Sequence, residues 1–474
     1  GTATFWPLND PGKSTTIDQT VTNRPELLIK CHLYHENYGS DHRATYSEWN
    51  LSPRRQPAAK AKKAYDRADW AKIAEDVLRQ IGPWKEVKTR PALDEVVERL
   101  TEATATAVDR YTPDLRPSPY SKRWFTPDLK IQQTEVNYLR RKWQESCAEL
   151  GRHDARSTTL FQEMQQKRRI WTRTIEKVKS SHWKQLLDEA GEGKLWKAAI
   201  YTKPREAWGC IPALHVATNE LTENKEKAQA FLDAFFPKMD EPDEDSLIRA
   251  PLELPWQPIT ELEIQRSLKS AKGSTAPGED GVPTLVWKQL WGYLKHYITG
   301  IFTASISLGY HQKGWRSAKS VVLQKPKKPD YSVPGAYRPI SLLNTLGKLL
   351  EAVMARRLSY LAEKHGLLPD TQFGGRPGRT TEQALLVLSN AIDRAWYKHK
   401  VVTLVAFDLK GAFNGVNKVS LDACLRARRI PTVARKWIAS FMSDRHASIG
   451  FDDFRTEVTP LANAGLAQGS PLSP

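Results

Sequence analysis

The sequence predicts an α+β chain, and three observations carry the prediction. From Thr260 onward, stretches with apolar residues at helical spacing alternate with short β-branched runs: Ser320 to Leu323, Val401 to Phe407 and Ala447 to Phe451. Upstream, residues 58–82 and 92–111 read as helices, the second with Leu93, Val96, Val97 and Leu100 on one face. Hydrophobic residues make up 40% and charged residues 26%, which supports a packed core and excludes wholesale disorder. At roughly 100–200 residues per domain, a chain of 474 residues divides into about three parts.

Taken in order, residues 1–50 read as the end of a β-rich domain, with strand-like stretches such as Glu26 to Leu33 between turn residues. Residues 51–237 read as a basic helical linker, opening on the Pro/Ala-rich junction Ser52 to Lys63. Between Ser121 and Lys184 there are 15 Lys/Arg and 7 Asp/Glu, so 15 − 7 = +8, with Trp124, Trp143, Trp171 and Trp183 interleaved. Such helices put cations on phosphates and aromatics on bases, or equally form a solvated pair with tryptophans inside. Residues 238–262 are an acidic, Pro-rich connector, and 263–474 form the domain whose strands carry the chemistry. Leu343 to Leu361 is leucine-rich at helical spacing and reads as core.

The chain holds 71 Lys/Arg against 54 Asp/Glu, a formal charge of +17, which favours a polyanionic partner, nucleic acid first. Its strongly apolar runs are far too short for a membrane span. The four cysteines, Cys31, Cys147, Cys210 and Cys424, form no CxxC pair, which argues against a disulfide framework or a structural zinc site. Gly12-Lys13-Ser14 imitates the end of a phosphate loop, but the glycine needed five residues earlier is Pro7. The start at Gly1 and the stop at Pro474, inside what reads as an active-site turn, suggest a piece of a longer polypeptide.

Five blocks in the C-terminal half carry chemistry. Ala271 to Pro283 is a Gly/Pro-rich loop opening a helix. Val321 to Lys328 is a strand ending in cations, followed by Tyr337-Arg338-Pro339-Ile340-Ser341-Leu342; a lysine and an arginine so placed can grip a triphosphate. Gln372 to Thr381 is a basic Gly-rich loop suited to a polynucleotide backbone, with Thr380 or Thr381 starting a helix. Val401 to Phe413 reads as a buried strand ending at Asp408, where a carboxylate can hold Mg²⁺ for phosphoryl transfer. Ala467 to Pro474 is a turn opening a further helix. In the N-terminal part, Asp18 precedes Ser40-Asp41-His42. A histidine beside an aspartate, with a second carboxylate on another strand, suits phosphodiester hydrolysis.

Together, in this order, APGxDG, YRPISL, QFGxRPGRxTxxA, FDxxxAF and QGSPLSP resemble the reverse transcriptase domain of non-LTR (LINE-type) retrotransposons over about 270–474. The I-D step at Asp18 and the S-D-H loop resemble the last two motifs of the endonuclease/exonuclease/phosphatase family. The implied architecture is a truncated right-hand polymerase, fingers and part of the palm, preceded by a basic helical linker and the end of an α/β-sandwich nuclease domain. The resemblance implies that Asp408 is the first catalytic carboxylate and a ligand of both Mg²⁺ ions. It makes Phe413 the gate against a ribose 2′-hydroxyl and Lys325 and Arg338 the triphosphate grip. Gln468 and Gly469 would line the nucleotide and template side, and the basic helices after 121 would cradle template RNA. In the nuclease tail, Asp18 would orient His42, with Asp41 beside the metal-and-phosphate site.

The implied reaction of the parent is RNA-templated DNA synthesis from dNTPs, primed at a nicked target DNA, in the nucleus after cytoplasmic synthesis. Asn414 stands where the family often has a second aspartate, at a position that binds no metal. The hairpin bearing the other catalytic aspartates would follow QGSPLSP, so this chain alone is expected neither to polymerise nor to nick DNA. Two further readings share the fold: a non-catalytic RNA/DNA-binding remnant of a degenerate element, and a maturase like those of group II introns. The nuclease-like tail argues against the second.

Overall fold

The computed structural model describes residues 3–5, 13–19, 28–35, 40–49, 62–115, 122–188, 211–237, 252–408, 412–413, 415–452, 454–461 and 465–473. These fall into two compact units: residues 1–59, 63–113 and 209–474 make the first, and residues 60–62 and 114–208 the second.

The first unit is built around α7 (Thr284–Ser307). Val286, Leu290, Leu294, Ile298 and Phe302 recur every four residues on it and are all fully buried, as is Trp287. Against this helix pack α1 (Trp70–Ile81), α2 (Arg90–Tyr111), α6 (Glu261–Ser270) and α8 (Thr345–Lys364). The segment 63–113, read from sequence as part of the linker, therefore shares one apolar core with the C-terminal half. Thr260 and Glu263 form a capping box that starts α6, each satisfying an N–H the helix end leaves open. Leu346, Leu350, Val353 and Met354 bury one side of α8, as its leucine spacing predicts.

One sheet carries the candidate site. Its order is β6 (Tyr337–Leu342), β5 (Ser317–Gln324), β7 (His446–Phe451), β8 (Phe454–Arg455), with β9 (Thr459–Pro460) also on β7. β5 runs antiparallel to β6, with Leu323 opposite Arg338 and Lys319 opposite Leu342, and parallel to β7. Along β5, Ala318, Ser320 and Val322 are buried while Lys319, Val321 and Leu323 are half-buried. That is the alternation of a sheet with one covered face. The cover over Val322 and Tyr337 is α5 (Asn224–Phe235), whose Phe231 ring lies 5.1 Å from Tyr337 and 5.6 Å from Phe451. Among the described residues this unit also has two small antiparallel pairs: β1 (Leu28–Leu33) with β2 (Thr45–Trp49), and β3 (Leu214–Val216) with β4 (Asn219–Leu221). Three helices follow α8: α9 (Thr381–Tyr397), started by a Thr380/Gln383 capping box, α10 (Lys418–Ala427) and α11 (Thr432–Met442).

The second unit is a helical hairpin of α3 (Pro127–Leu150) and α4 (Ala155–Asp188). At 1.5 Å per residue, 34 residues make α4 about 50 Å long. Among its described residues apolar burial is sparse, at Leu129, Val136 and Met164, and Ser146 and Ser157 share a buried hydrogen bond of 2.9 Å. The tryptophans divide between roles. Trp143 packs on Phe161 at 5.2 Å, whereas Trp124 carries Lys122 and Lys179 against its ring and Trp183 is exposed.

One expectation fails. Residues 401–408 form no strand, and every one is exposed, Phe407 at 91%. A β-branched run becomes a strand only when another strand satisfies its N–H and C=O groups. Among the described residues none pairs with this run, whose backbone stays open to water. The acidic connector falls largely on 238–251, and the basic junction on 51–61, both outside the described residues.

Candidate functional site

Three blocks far apart in sequence meet at one corner, residues 341–345, where β6 ends and α8 begins. The 271–283 loop reaches it through Gly278, whose missing side chain is required: a Cβ there would lie 2.6 Å from the Asn344 N and the Leu343 C. A buried relay fixes the same contact. Trp287 Nε1 donates to Thr345 Oγ1 (2.8 Å), which donates to the Val282 carbonyl (2.7 Å). The 467–473 turn reaches the corner from another side. Ser341 N donates to the Gln468 carbonyl (2.8 Å). Gly469, at φ +129°, comes so close that a Cβ would lie 2.5 Å from the Ser341 carbonyl oxygen. Ala318, Leu343 and Ala467 close a small apolar cluster beneath. The neighbouring Leu466 N donates to the Phe413 carbonyl (2.8 Å), which brings the start of that turn to Phe413; the Phe413 ring is partly exposed.

Beside this corner the β5–β6 ladder presents its less covered face. Arg338 is exposed, and its guanidinium has no hydrogen bond or ion pair among the described residues. Lys325 follows Leu323 by two positions, on the same side of the ladder as Arg338, and its Nζ donates to the Gly335 carbonyl (2.9 Å). Lys319 lies on that side too, opposite Leu342. Sequence reasoning missed it, although the alternation from Lys319 through Val321 and Leu323 to Lys325 was there to read. The 271–283 loop is tied to the same face of the sheet further along, on β7 and β8, where Ser448 stands beside Lys319. Glu279 pairs with Arg455 and accepts from Ser448 Oγ (3.3 Å). Burial pushes the Asp280 carboxyl up to about 6, helped by Glu279 beside it and opposed by the Val282 N–H.

The Gln372–Thr381 loop, expected to touch a polynucleotide backbone, spends one arginine on its own shape. Arg376 grips Glu363 with two bonds (2.9 and 2.8 Å) and donates to the Pro369 carbonyl. Arg379 lies over the Phe373 ring at 5.4 Å and remains partly exposed. Between this loop and the end of the 467–473 turn lies a cavity of about 750 Å³, lined by Leu358, Ala362, Leu367, Gly375, Leu425 and Leu472.

Asp408 is exposed, and no group of three or more His, Cys, Asp or Glu able to hold a metal occurs among the described residues. A two-metal centre needs several carboxylates around one pair of ions, so these residues by themselves do not fit one. In the N-terminal part the Asp18 carboxylate lies 2.9 Å from His42 Nδ1, which leaves Nε2 as the free ring nitrogen of that pair. The bond from His42 holds Asp18 below the ordinary carboxylate range. Thr4 Oγ1 accepts from the Ile17 and Asp18 amides, and the Phe5 ring packs 4.7 Å from His42. Asp41 sits next to His42, half-buried.

A family model described as reverse transcriptase (RNA-dependent DNA polymerase) matches residues 325–474. The chain is similar to a putative 115 kDa protein in the type-1 retrotransposable element R1DM of Drosophila melanogaster, 27% identical over 481 residues, 99% of this chain and 42% of that protein. It is also similar to the probable RNA-directed DNA polymerases from two transposons of the same fly. The X-element protein is 25% identical over 81% of this chain and 42% of its own length. The transposon BS protein is 31% identical over 47% of this chain and 24% of its own length. The chain thus spans less than half the length of the curated relatives it matches. Residues 325–474 carry a reverse transcriptase domain, homologous to those of non-LTR retrotransposons. Among the described residues no helix is long and apolar enough to cross a membrane.

Proposed function

We propose that this chain is the part of a non-LTR retrotransposon reverse transcriptase that grips the incoming dNTP and the RNA template. The complete protein would carry out RNA-templated DNA synthesis at a target DNA, in the nucleus, by Mg²⁺-assisted phosphoryl transfer. The observation that carries the reading is the unpartnered Arg338 on the open face of the β5–β6 ladder, on the strand whose Ser341 end receives the 467–473 turn, within a matched reverse transcriptase domain. A guanidinium there offers a triphosphate two parallel donors, and Lys325 and Lys319 add point charges on the same face. Asp408 would contribute one metal-binding carboxylate, and Phe413 would stand near the sugar. The test is dNTP binding followed by fluorescence. Arg338→Ala should weaken it about tenfold, the value of one charge-assisted bond pair, and unchanged affinity would refute the grip.

The second unit favours a companion role in holding nucleic acid. Its excess of cations and its exposed aromatic positions suit a phosphate backbone. Binding of single-stranded RNA should fall with salt, log K against log [salt] sloping by about −0.7 per phosphate contacted. It should survive Asp408→Ala. Affinity independent of salt would overturn this role. The Asp18–His42 pair supports descent of residues 1–50 from a nuclease domain, with Asp18 orienting the ring. Mg²⁺-dependent plasmid nicking that disappears in His42→Ala would show that this part is itself active.

A further inference from the structure

Glu351 is a carboxyl in the second turn of α8, and it is completely buried. Buried apolar residues occupy other sides of the same helix at Leu346, Leu349, Leu350 and Val353. Burying an acid is costly unless it is hydrogen-bonded, and an apolar side chain would fill the space without that cost. What an apolar side chain cannot do is accept the hydrogen bond that Ser470 Oγ donates to Glu351 Oε2 (2.5 Å). Ser470 is the knot of its turn. Its Oγ also accepts from Leu472 N (3.1 Å), its N donates to the Ala467 carbonyl (3.1 Å), and Ser473 Oγ donates to the same carbonyl (2.8 Å). Among the described residues the turn is hydrogen-bonded to the rest of the unit by Glu351 from beneath and Ser341 at the β6 edge.

The room under the turn is polar. Besides Glu351 Oε1, both ring nitrogens of His311 and Arg445 Nη2 are buried without a hydrogen-bond partner. His311 Nε2 stands 3.7 Å from Glu351 Oε1, beyond hydrogen-bond reach. Arg445 is spent in part on the Phe441 carbonyl (3.0 Å). Burial holds His311 neutral and pushes the Glu351 carboxyl up, with the Ser470 bond, Arg445 and Lys348 opposing the latter. A neutral acceptor at 351 can still receive the Ser470 bond.

We infer that Glu351 is a positioning residue: through Ser470 it holds Gln468 and Gly469 against the edge of β6 at Ser341, and so sets one wall of the nucleotide grip on the strand that carries Arg338. The inference rests on the nucleotide reading for the purpose of that wall, but not for its geometry.

Three variants test it: Ser470→Ala, Glu351→Leu and Glu351→Gln. Hydrogen exchange of the Ser341 amide reads the geometry, because its acceptor is the Gln468 carbonyl. Ser470→Ala and Glu351→Leu should expose that amide about tenfold faster and weaken dNTP binding by a similar factor, the worth of one buried bond. Glu351→Gln keeps an acceptor for Ser470 and should behave as the parent chain. If the amide stays protected in both Ser470→Ala and Glu351→Leu, the inference is wrong. If Glu351→Gln is as damaging as Glu351→Leu, the effect is loss of packing and the inference is equally wrong. If the parent chain binds no dNTP while the amide responds as expected, the nucleotide reading falls and the positioning of the turn stands.

Discussion

Replacing Gly278 by alanine tests how the corner at 341–345 is held. The backbone at Gly278 does not need a glycine for its φ, so the whole effect is steric. The added Cβ would lie 2.6 Å from Asn344 N, where an ordinary contact begins at 3.4 Å, so the loop must retreat by 3.4 − 2.6 = 0.8 Å. The nearest atom, Asn344 Oδ1 at 2.5 Å, is on a side chain that can turn away, but Asn344 N and the Leu343 carbonyl carbon are main chain at the cap of α8 and cannot. A retreat of that size would stretch the bond from Thr345 Oγ1 to the Val282 carbonyl from 2.7 Å to about 3.5 Å, which breaks it. Overpacking costs about 1–3 kcal/mol and the lost buried bond about 1 kcal/mol, so the variant should lose about 2–4 kcal/mol. Gly281 in the same loop is the control. It sits at φ +65° with nothing within 4 Å of a Cβ, so alanine there meets only the left-handed strain of about 1–2 kcal/mol. Urea unfolding of both variants gives the comparison. A double-mutant cycle with Thr345→Val adds to it, since Gly278→Ala has already broken the bond that Thr345→Val removes. The two should therefore couple by about 1 kcal/mol. Gly278→Ala no more damaging than Gly281→Ala, or strictly additive with Thr345→Val, would refute the reasoning.

Three more outcomes follow from the same structure. Asp280 carries a folded-state pKa raised from 3.8 to about 6, so the native state holds the proton more tightly than the unfolded chain. Stability then falls as pH rises from about 4 to about 6 and is level above, by at most about 3 kcal/mol. Asp280→Asn should flatten that slope and stabilise the chain at pH 7, as equilibrium unfolding across pH would report. Arg357 grips Glu263 with two bonds of 2.8 Å, donates to the Gln257 and Pro258 carbonyls and covers the Trp256 ring. Burial pushes the Glu263 carboxyl up, and the Arg357 bonds outweigh it to leave the pKa below 4.5. Arg357→Lys should therefore cost about 2–3 kcal/mol and remove stability that the parent loses only as pH falls below that range. In α7, Gly292→Ala meets nothing within 4 Å, whereas a Cβ at Gly300 would lie 2.5 Å from Trp84 Cε2. Thermal unfolding should show the first stabilising by about 0.5–1 kcal/mol and the second destabilising by about 1–2 kcal/mol, overpacking less helix gain.

What the sequence made legible was local. The β-branched runs at 320–323 and 447–451, the leucine spacing of α8 and the threonine that opens α9 all follow from period and capping chemistry. The Asp18–His42 contact spans 24 residues and was legible only through its resemblance to a known motif. The failures are non-local. Val401 to Phe407 has every strand propensity and no strand, because pairing is decided by a neighbour that composition cannot supply. The packing of α1 and α2 on α7 was hidden, since an amphipathic helix shows that it has a partner and not which one. Glu351 was passed over because one acid in a leucine-rich helix reads as its solvent side until burial is known.

The distribution of free and engaged cations narrows what the basic character of the C-terminal half can mean. Sequence alone offers Lys325 and Arg338 for a triphosphate and the loop bearing Arg376 and Arg379 for a polynucleotide backbone. In the structure Arg376 is committed to Glu363 and to main-chain carbonyls, so its charge is already answered and its removal would unmake a loop before it weakened a ligand. Lys325 is half-committed through Gly335. Arg338 alone among these four has its whole fork open. The glycines show the complementary division. Gly278 and Gly469 sit where two main chains nearly touch at the 341–345 corner, so the motif glycines there serve backbone approach. The recognisable blocks therefore split into those that build the corner and those that face a ligand. Affinity for a triphosphate should track Arg338 and its neighbours on the β5–β6 face, not the total charge of the domain.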